Sequence, residues 1–342
     1  MRKRQKTRPK DTRSSCVSCR YPLRITHHSS RKEGIALLIV IWVVTVLMVT
    51  VLSFSLMART EAHSTLSFKE GIEKNFLAEA GIERAIMELF YMRQNMNAAV
   101  TTKDTEAWKA DGTSYSGQVG DGSYTVRIRG ESGKLDINTV PEILLKNLLL
   151  NSGVKDDDAD TIVDSIMDWK DPDDLHRLHG AESDYYMSLP NPYKAKNADF
   201  DTLEELLLVK GVTPELLYGS TEAKGLIDFL TVNSKSGTVN LNYAPKEVLT
   251  AIPGIGADTA DRIIQYRQDK SISGLQEIQQ LLGENYSAAA PYIGVIDTNA
   301  YTIEARGYRG GEKTGYPVRA IVALDNNTKY RYLYYRSPAY VR

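Results

Sequence analysis

The chain has 342 residues, with 42 Lys and Arg against 43 Asp and Glu, so its formal charge of −1 conceals an uneven distribution along the sequence. Length alone suggests about two domains. Both cysteines, Cys16 and Cys19, sit near the N-terminus, so the remainder cannot use disulfides and must draw its stability from apolar cores or bound ions. No G-x-S-x-G, H-E-x-x-H or phosphate loop is present, and no residue reads as catalytic.

Up to residue 33 the chain carries eleven Lys and Arg against only Asp11 and Glu33. From Ile35 to Ala58 there is then neither a charge nor a proline, and at ~1.5 Å per helical residue that run crosses a ~30 Å hydrocarbon core. The basic flank keeps the N-terminal side cytoplasmic and exports the rest. The apolar run ends in S-F-S-L-M-A-R, a poor match to an A-x-A-like secretory cleavage site. Instead, Arg31-Lys32-Glu33-Gly34 abuts its start. That layout resembles the type IV prepilin leader, which implies cleavage between Gly34 and Ile35 by a membrane prepilin peptidase and N-methylation of the new terminus; an uncleaved anchor is the alternative. Cys16-Val-Ser-Cys19 has no second half, and His27 and His28 are wrongly spaced to complete a compact zinc knuckle, so the pair reads as incidental to a discarded leader.

Helical signals continue past the span. From Arg59 to about Asn95 there is no proline, and Phe68, Ile72 and Phe76, then Ile82, Ile86, Leu89 and Phe90, recur at helical spacing. One helix from Ile35 to Asn95 is expected, apolar all round in its first half and with one apolar stripe in its second, with Gly71 and Gly81 as weak points. The layout resembles pilins and pseudopilins, most of which carry a glutamate at the fifth mature position. Here that position is Ile39. A subunit without this carboxylate is a poor acceptor for a neighbour's terminal amine in a dry filament core, which suits a special position better than a repeating one.

After a polar loop over Asp111 to Gly122, Ser123 to Arg129 alternates as a half-buried strand. Further strands are expected only at Tyr301 to Tyr308, Val318 to Asp325 and Tyr330 to Tyr335, so one sheet is split by an insertion of about 160 residues. The insertion reads as helices, with capping-box starts at Thr139-Val-Pro-Glu142 and Thr202-Leu-Glu-Glu205. A faint repeat relates Leu135-Asp-Ile-Asn138-Thr-Val-Pro141 to Val239-Asn-Leu-Asn242-Tyr-Ala-Pro245, which suggests two related modules.

Ile252-Pro-Gly-Ile-Gly256 followed by Ala257 to Ile263 reads as a helix-hairpin-helix, a motif that can hold phosphates on backbone amides, and Leu208 to Pro214 is a looser copy. Charge argues against nucleic acid. Residues 135–297 hold 13 Lys and Arg against 27 Asp and Glu, a net of −14, and Asp258 and Asp261 stand where a phosphate would sit. The acidic constellation is more pointed: Asp168, Asp171, Asp173, Asp174, Glu182 and Asp184 place six carboxylates within 17 residues. They repel unless solvated or bridged by a cation, and hard oxygen clusters suit calcium. The spacing is not that of an EF-hand, and a solvated acidic loop is the alternative. Trp169, Tyr185 and Tyr186 suggest that the loop packs against something. His176 and His179 lack a second ligand pair for a transition metal.

D-W-x-D-x-D, G-A-E-x-x-Y-Y, Asn191-Pro-Tyr193, Asn197 and the Leu203 to Glu215 stretch together resemble the protein K family of the general (type II) secretion pathway, minor pseudopilins that share the missing fifth-position glutamate. The match runs from Gly34 to near Arg336. The resemblance implies an α+β fold in which a pilin-like long N-terminal helix packs on an antiparallel sheet, with a large all-α domain of SAM-like, helix-hairpin-helix type inserted between strands. The expected organisation is a leader over 1–34, a transmembrane helix over 35–58, pilin-like parts over 59–134 and 298–342, and the insert over 135–297. The resemblance also implies calcium within the insert, for which Asp168, Asp171, Asp173, Glu182 and Asp184 match the acidic motif and Asp174 is an extra neighbour. Implied partners are the minor pseudopilins I and J, the peptidase and the inner-membrane secretion platform. The implied location is the inner membrane, with a periplasmic C-terminal domain at the pseudopilus tip. A membrane-anchored DNA-uptake receptor and a calcium-dependent adhesin are the readings from other classes.

Overall fold

A computed structural model describes residues 33–94, 108–220, 223–326 and 329–339. The leader and Cys16-Cys19 lie outside the described residues. The chain divides into two compact units, residues 1–65 and 66–342. Helix α1, Glu33–Gln94, runs unbroken through Gly71 and Gly81. It is long and apolar enough to cross a membrane, and Ile35, Ile39 and the rest of the apolar run are exposed.

In the second unit, α1 packs on a sheet. Strand β1 is Asp111–Val119 and β2 is Gly122–Gly130. The stretch between β2 and the next long strand holds β3 (Leu135–Asp136), α2 (Glu142–Asn151), α3 (Asp156–Lys170), α4 (Ser183–Met187) and a 3-10 turn (Leu203–Leu208). It continues with α5 (Pro214–Tyr218), β4 (Leu230–Thr231), β5 (Val239–Asn240), α6 (Lys246–Ala251), α7 (Ala257–Asp269), α8 (Leu275–Leu282), α9 (Tyr286–Ala289) and β6 (Ile293–Gly294). Strands β7 (Ala300–Arg309), β8 (Tyr316–Asn326) and β9 (Lys329–Arg336) then complete an antiparallel sheet of order β1-β2-β7-β8-β9. The alternating stretches expected as strands are all strands, each lengthened by a residue or two at each end. Asp111 to Val119, expected as loop, is the edge strand β1. An edge strand with little burial on either face needs no apolar alternation, so Asp-Gly-Thr-Ser-Tyr-Ser-Gly carries no strand signal.

Ala78, Ile82, Ala85, Ile86 and Leu89 of α1 bury against Val126, Ile128, Ile303, Ala305, Val318 and Ala320. Glycine lets the layers meet: a Cβ at Gly307 would strike the backbone of Lys74 and Ala78, and one at Gly81 would press on the Tyr124 ring. The earlier part of the stripe is different. Phe68 and Phe76 are 71% and 63% exposed, because they lie beyond or beside the surface the strands cover. At the β9 edge, Tyr332 and Tyr335 donate to Glu83 and Glu79 of α1 at 3.0 and 2.9 Å.

The suspected repeat is structural. Asn138 closes a pair of hydrogen bonds with the Phe200 backbone (2.8 and 3.0 Å), and Asn242 does the same with Ile272 (2.8 and 2.9 Å). In each copy a cation from the following long helix donates to the carbonyls of this turn: Lys170 to Ile137 and Asn138, Arg267 to Leu241 and Ala244. The Thr139 capping box does not form, since α2 begins at Glu142 with Pro141 as its N-cap and no side-chain cap, whereas the Thr202–Glu205 box is complete. The insert meets the sheet through a buried network. Lys134 Nζ donates to Glu131 Oε1 (2.5 Å) and Thr302 Oγ1 (3.2 Å), while the Thr302 and Thr231 hydroxyls donate to the two Glu131 oxygens.

Candidate metal centre

Helix α3 turns Ile162, Val163, Ile166 and Trp169 into the core of the insert, and this periodicity carries Asp168, in its last turn, to 0% exposure. Pro172 disfavours helical backbone at the residue before it. Asp171 is accordingly an extended C-cap, and the chain loops out to return through Gly180 to Glu182, the N-cap of α4. A Cβ at Gly180 would overlap the Asp168 carboxylate, so only glycine admits this approach. Beneath the loop, Trp169 meets Tyr186 edge-on at 5.2 Å and stacks near Phe200, and Tyr186 stacks on Tyr193 at 5.2 Å. Lys210 braces it from the side, donating to the carbonyls of His179 (3.2 Å) and Gly180 (3.0 Å).

Of the six carboxylates, three converge. One oxygen each from Asp168, Asp171 and Glu182 lie within 4.8 Å of one another. Two oxygens bound to one calcium at ~2.3–2.6 Å can be no more than about 5 Å apart, so the spacing fits a shared ion. Glu182 is 1% exposed, and neither of its oxygens has a hydrogen-bond partner; Asp171 Oδ1 is likewise buried and unpartnered. An orphaned buried carboxylate is costly, and a cation is the partner this donor set suits. Asp168 accepts from the Arg177 backbone N–H at 3.2 Å, and the Arg177 guanidinium bridges, with Nε 3.6 Å from Asp168 Oδ1 and Nη1 donating to Glu142 at 2.7 Å.

Burial raises the pKa of all three groups. For Asp168, the Arg177 backbone hydrogen bond opposes the rise and Asp171 adds to it; for Asp171, the neighbouring Asp173 adds to it. Glu182 is pushed up to about 7, by burial first and then by the charges of Asp168, Asp171 and Asp174.

The other three candidates point elsewhere. Asp173 Oδ1 accepts from the Leu175 N–H at 2.9 Å, and Asp184 Oδ1 accepts from the Tyr185 N–H and faces His176 Nε2 at 2.9 Å. Asp174 is exposed and acts on Glu182 only through its charge. His176 and His179 are not among the converging side chains. Sequence reasoning missed Gly180, Lys210 and Arg177, which shape the loop; the G-A-E motif was the available signal for Gly180. In the hairpin, Gly254 takes φ +83° between α6 and α7, and Lys246 is paired with Asp261 at 2.7 Å.

A family profile described as type II secretion system (T2SS) protein K matches residues 95–219, and a helix-hairpin-helix profile matches residues 234–294. The type II secretion system protein K of Pectobacterium carotovorum subsp. carotovorum is 26% identical over 206 residues, 55% of this chain; the match spans about 60% of that protein's length. The protein of the same name from Aeromonas hydrophila is 26% identical over 300 residues, 81% of this chain and 88% of the relative. Among solved structures, a chain of the GspK-GspI-GspJ complex from enterotoxigenic Escherichia coli superposes with a TM-score of 0.55 at 14% identity, covering 81% of this chain and 99% of that one. This likeness establishes the fold.

Proposed function

We propose that the chain is a member of the type II secretion system protein K family, a minor pseudopilin that joins the minor pseudopilins I and J at the tip of the pseudopilus and starts and caps its assembly. The observation that carries the reading is the large helical segment placed between β2 and β7 of a pilin-like sheet. A filament subunit must offer a seat to the next subunit, and a bulky insert leaves none. Ile39 removes the carboxylate that would pair with a neighbour's amine, and exposed Phe68 and Phe76 offer apolar surface for side-by-side packing with the partner helices. Prepilin peptidase cuts between Gly34 and Ile35, and the inner-membrane platform receives the anchored product, with the C-terminal domain in the periplasm. The role is structural, not catalytic.

Calcium is part of this proposal. Asp168, Asp171 and Glu182 are the side chains that would hold it, and the ion would supply positive charge that joins the end of α3 to the start of α4 in a chain segment without disulfides. Nothing in the hairpin favours the DNA-receptor reading. Deleting the chain should abolish export of folded proteins through the secretion system, and immunogold labelling should find it at one filament end; labelling along the filament sides would refute the tip role.

A further inference from the structure

The outer strands of the sheet, β1 and β9, are built differently. On β9, Lys329 and Arg331 are exposed, and the pairing with β8 slips twice, between Ile321 and Val322 and between Leu324 and Asn326. Charges and bulges keep an edge strand from pairing with another chain. β1 has neither over most of its length. No charged residue and no proline falls between Gly112 and Gly120, and its one register slip, between Asp111 and Ser114, leaves Ser114 to Val119 in regular pairing with β2.

The hairpin fixes which backbone groups face outward. Val119 is opposite Gly122 across a two-residue turn in which Gly120 takes φ +58°. Such a turn closes on a hydrogen-bonded pair, and antiparallel pairs alternate. Tyr115 and Gly117 therefore bond to β2, while Ser114, Ser116 and Gln118 turn their N–H and C=O groups away from it. All three are exposed, and among the described residues no backbone bond reaches them from the open side. They present a row of donors and acceptors ~14 Å long at the usual strand spacing.

The flanks of this row fit one kind of guest. On the α1 side of the sheet, Tyr115 stacks on Trp108 at 4.4 Å, Gly117 leaves room for the Tyr124 ring, and Val119 is 48% exposed, which makes an apolar shelf beside the edge. Strand alternation puts the hydroxyls of Ser114 and Ser116 and the Gln118 amide on the other side. A strand that alternates apolar with neutral polar side chains matches both flanks, whereas a charged one would find no counter-ion on β1.

We propose that β1 is a docking edge that takes an uncharged, amphipathic extended segment of a partner protein as an added strand, joined through the backbone of Ser114, Ser116 and Gln118. Main-chain bonds supply the affinity in this mode and alternate side chains the selectivity. The proposal goes beyond the pseudopilin reading and depends neither on it nor on calcium.

The test is fluorescence anisotropy on the full chain in phosphatidylcholine nanodiscs, with a labelled hexapeptide alternating threonine and valine. The control is the same peptide with every amide N-methylated, which keeps the side chains and removes the donors. The plain peptide is expected to bind at least ~10-fold more tightly than the control. Ser116→Pro should remove that preference. The Ser116 N–H points away from β2, so proline there breaks no bond of the hairpin, and thermal unfolding verifies that the variant is folded. Ser116→Lys, which gives β1 the kind of charge β9 carries, should also weaken binding ~10-fold. Equal affinity for the two peptides, or unchanged binding in both folded variants, would overturn the proposal. So would a dimer of the chain in detergent that Ser116→Pro dissolves, since a second copy of β1 would then be the occupant.

Discussion

In 1 mM calcium the full chain in detergent is expected to unfold roughly 5–10 °C higher than in chelator, with magnesium giving much less. A ligand that binds only the folded state stabilises by about 2.7 kcal/mol at a hundredfold excess over its Kd, and one kcal/mol moves the midpoint of a domain of this size by ~2–4 °C. Magnesium demands a tighter octahedral shell than three protein carboxylates on two separate elements readily supply. Glu182→Gln should abolish the rise. It should also leave the chelated protein more stable than its parent at pH 8, because it removes a buried, unpartnered charge without changing the side chain's shape. If Asp168, Asp171 and Glu182 form only a solvated acidic cluster, neither calcium nor the substitution will have these effects.

The pH dependence has a definite sign. The folded Glu182 holds its proton up to about pH 7, whereas the unfolded chain releases it near 4.5. Between those values the folded state binds more protons, so in chelator stability falls as pH rises and levels off above about 7. The fall attributable to this group is of the order of 3 kcal/mol. Calcium requires the carboxylate form, so the calcium-dependent gain should grow over the same window. Thermal unfolding at pH 5, 6, 7 and 8, with calcium and with chelator, measures both trends.

Lys134→Met should destabilise the fold by about 3–5 kcal/mol, the cost of leaving a fully buried partner charge uncompensated. Lys134 and Glu131 are 3% and 1% exposed, and Glu131 already accepts from Thr231 of the insert and Thr302 of the sheet. Burial pushes the Glu131 carboxyl up, but Lys134 and the two hydroxyls hold it below its ordinary value; once the lysine is gone burial dominates, and the group must either stay charged without its partner or take up a proton. Replacing both members, with Glu131→Leu added, should recover most of the loss, because a buried ion pair contributes little beyond a well-packed apolar pair. Chemical denaturation of the two single variants and the double variant closes the cycle. A Lys134→Met cost under about 1 kcal/mol would mean that water reaches the network.

How much of this was legible in the sequence follows from what each residue type must satisfy. Ile82, Ile86 and Leu89 were readable as core because a helix facing a sheet must repeat its apolar positions, and they are buried. Phe68 lies near the same face yet is exposed, since periodicity specifies a face but not what covers it, and Phe76, six residues before Ile82, stands about 120° round the helix from that residue and so points off the stripe. β1 escaped notice because an edge strand needs no apolar alternation. The Glu131–Lys134 pair escaped because two charges three residues apart look like any surface pair until Thr231 and Thr302 arrive from far along the chain. The acidic loop was conspicuous, but proximity in sequence could not sort its members. Asp173 and Asp184 turn to nearby backbone N–H groups, as short polar side chains in turns and at helix starts do, while Asp168, Asp171 and Glu182 are carried together by a helix end, a proline stop and a helix start.

The deciding measurement is the mass of the species formed when the purified full chain is mixed with the minor pseudopilins I and J of its own secretion system, read by light scattering during gel filtration. A single peak at the mass of one copy of each is expected, and it should weaken in chelator if the calcium site shapes the assembled surface. Elution of the chain alone, or growth with the major pseudopilin into a filament containing many copies of the chain, would contradict the proposed place at the tip.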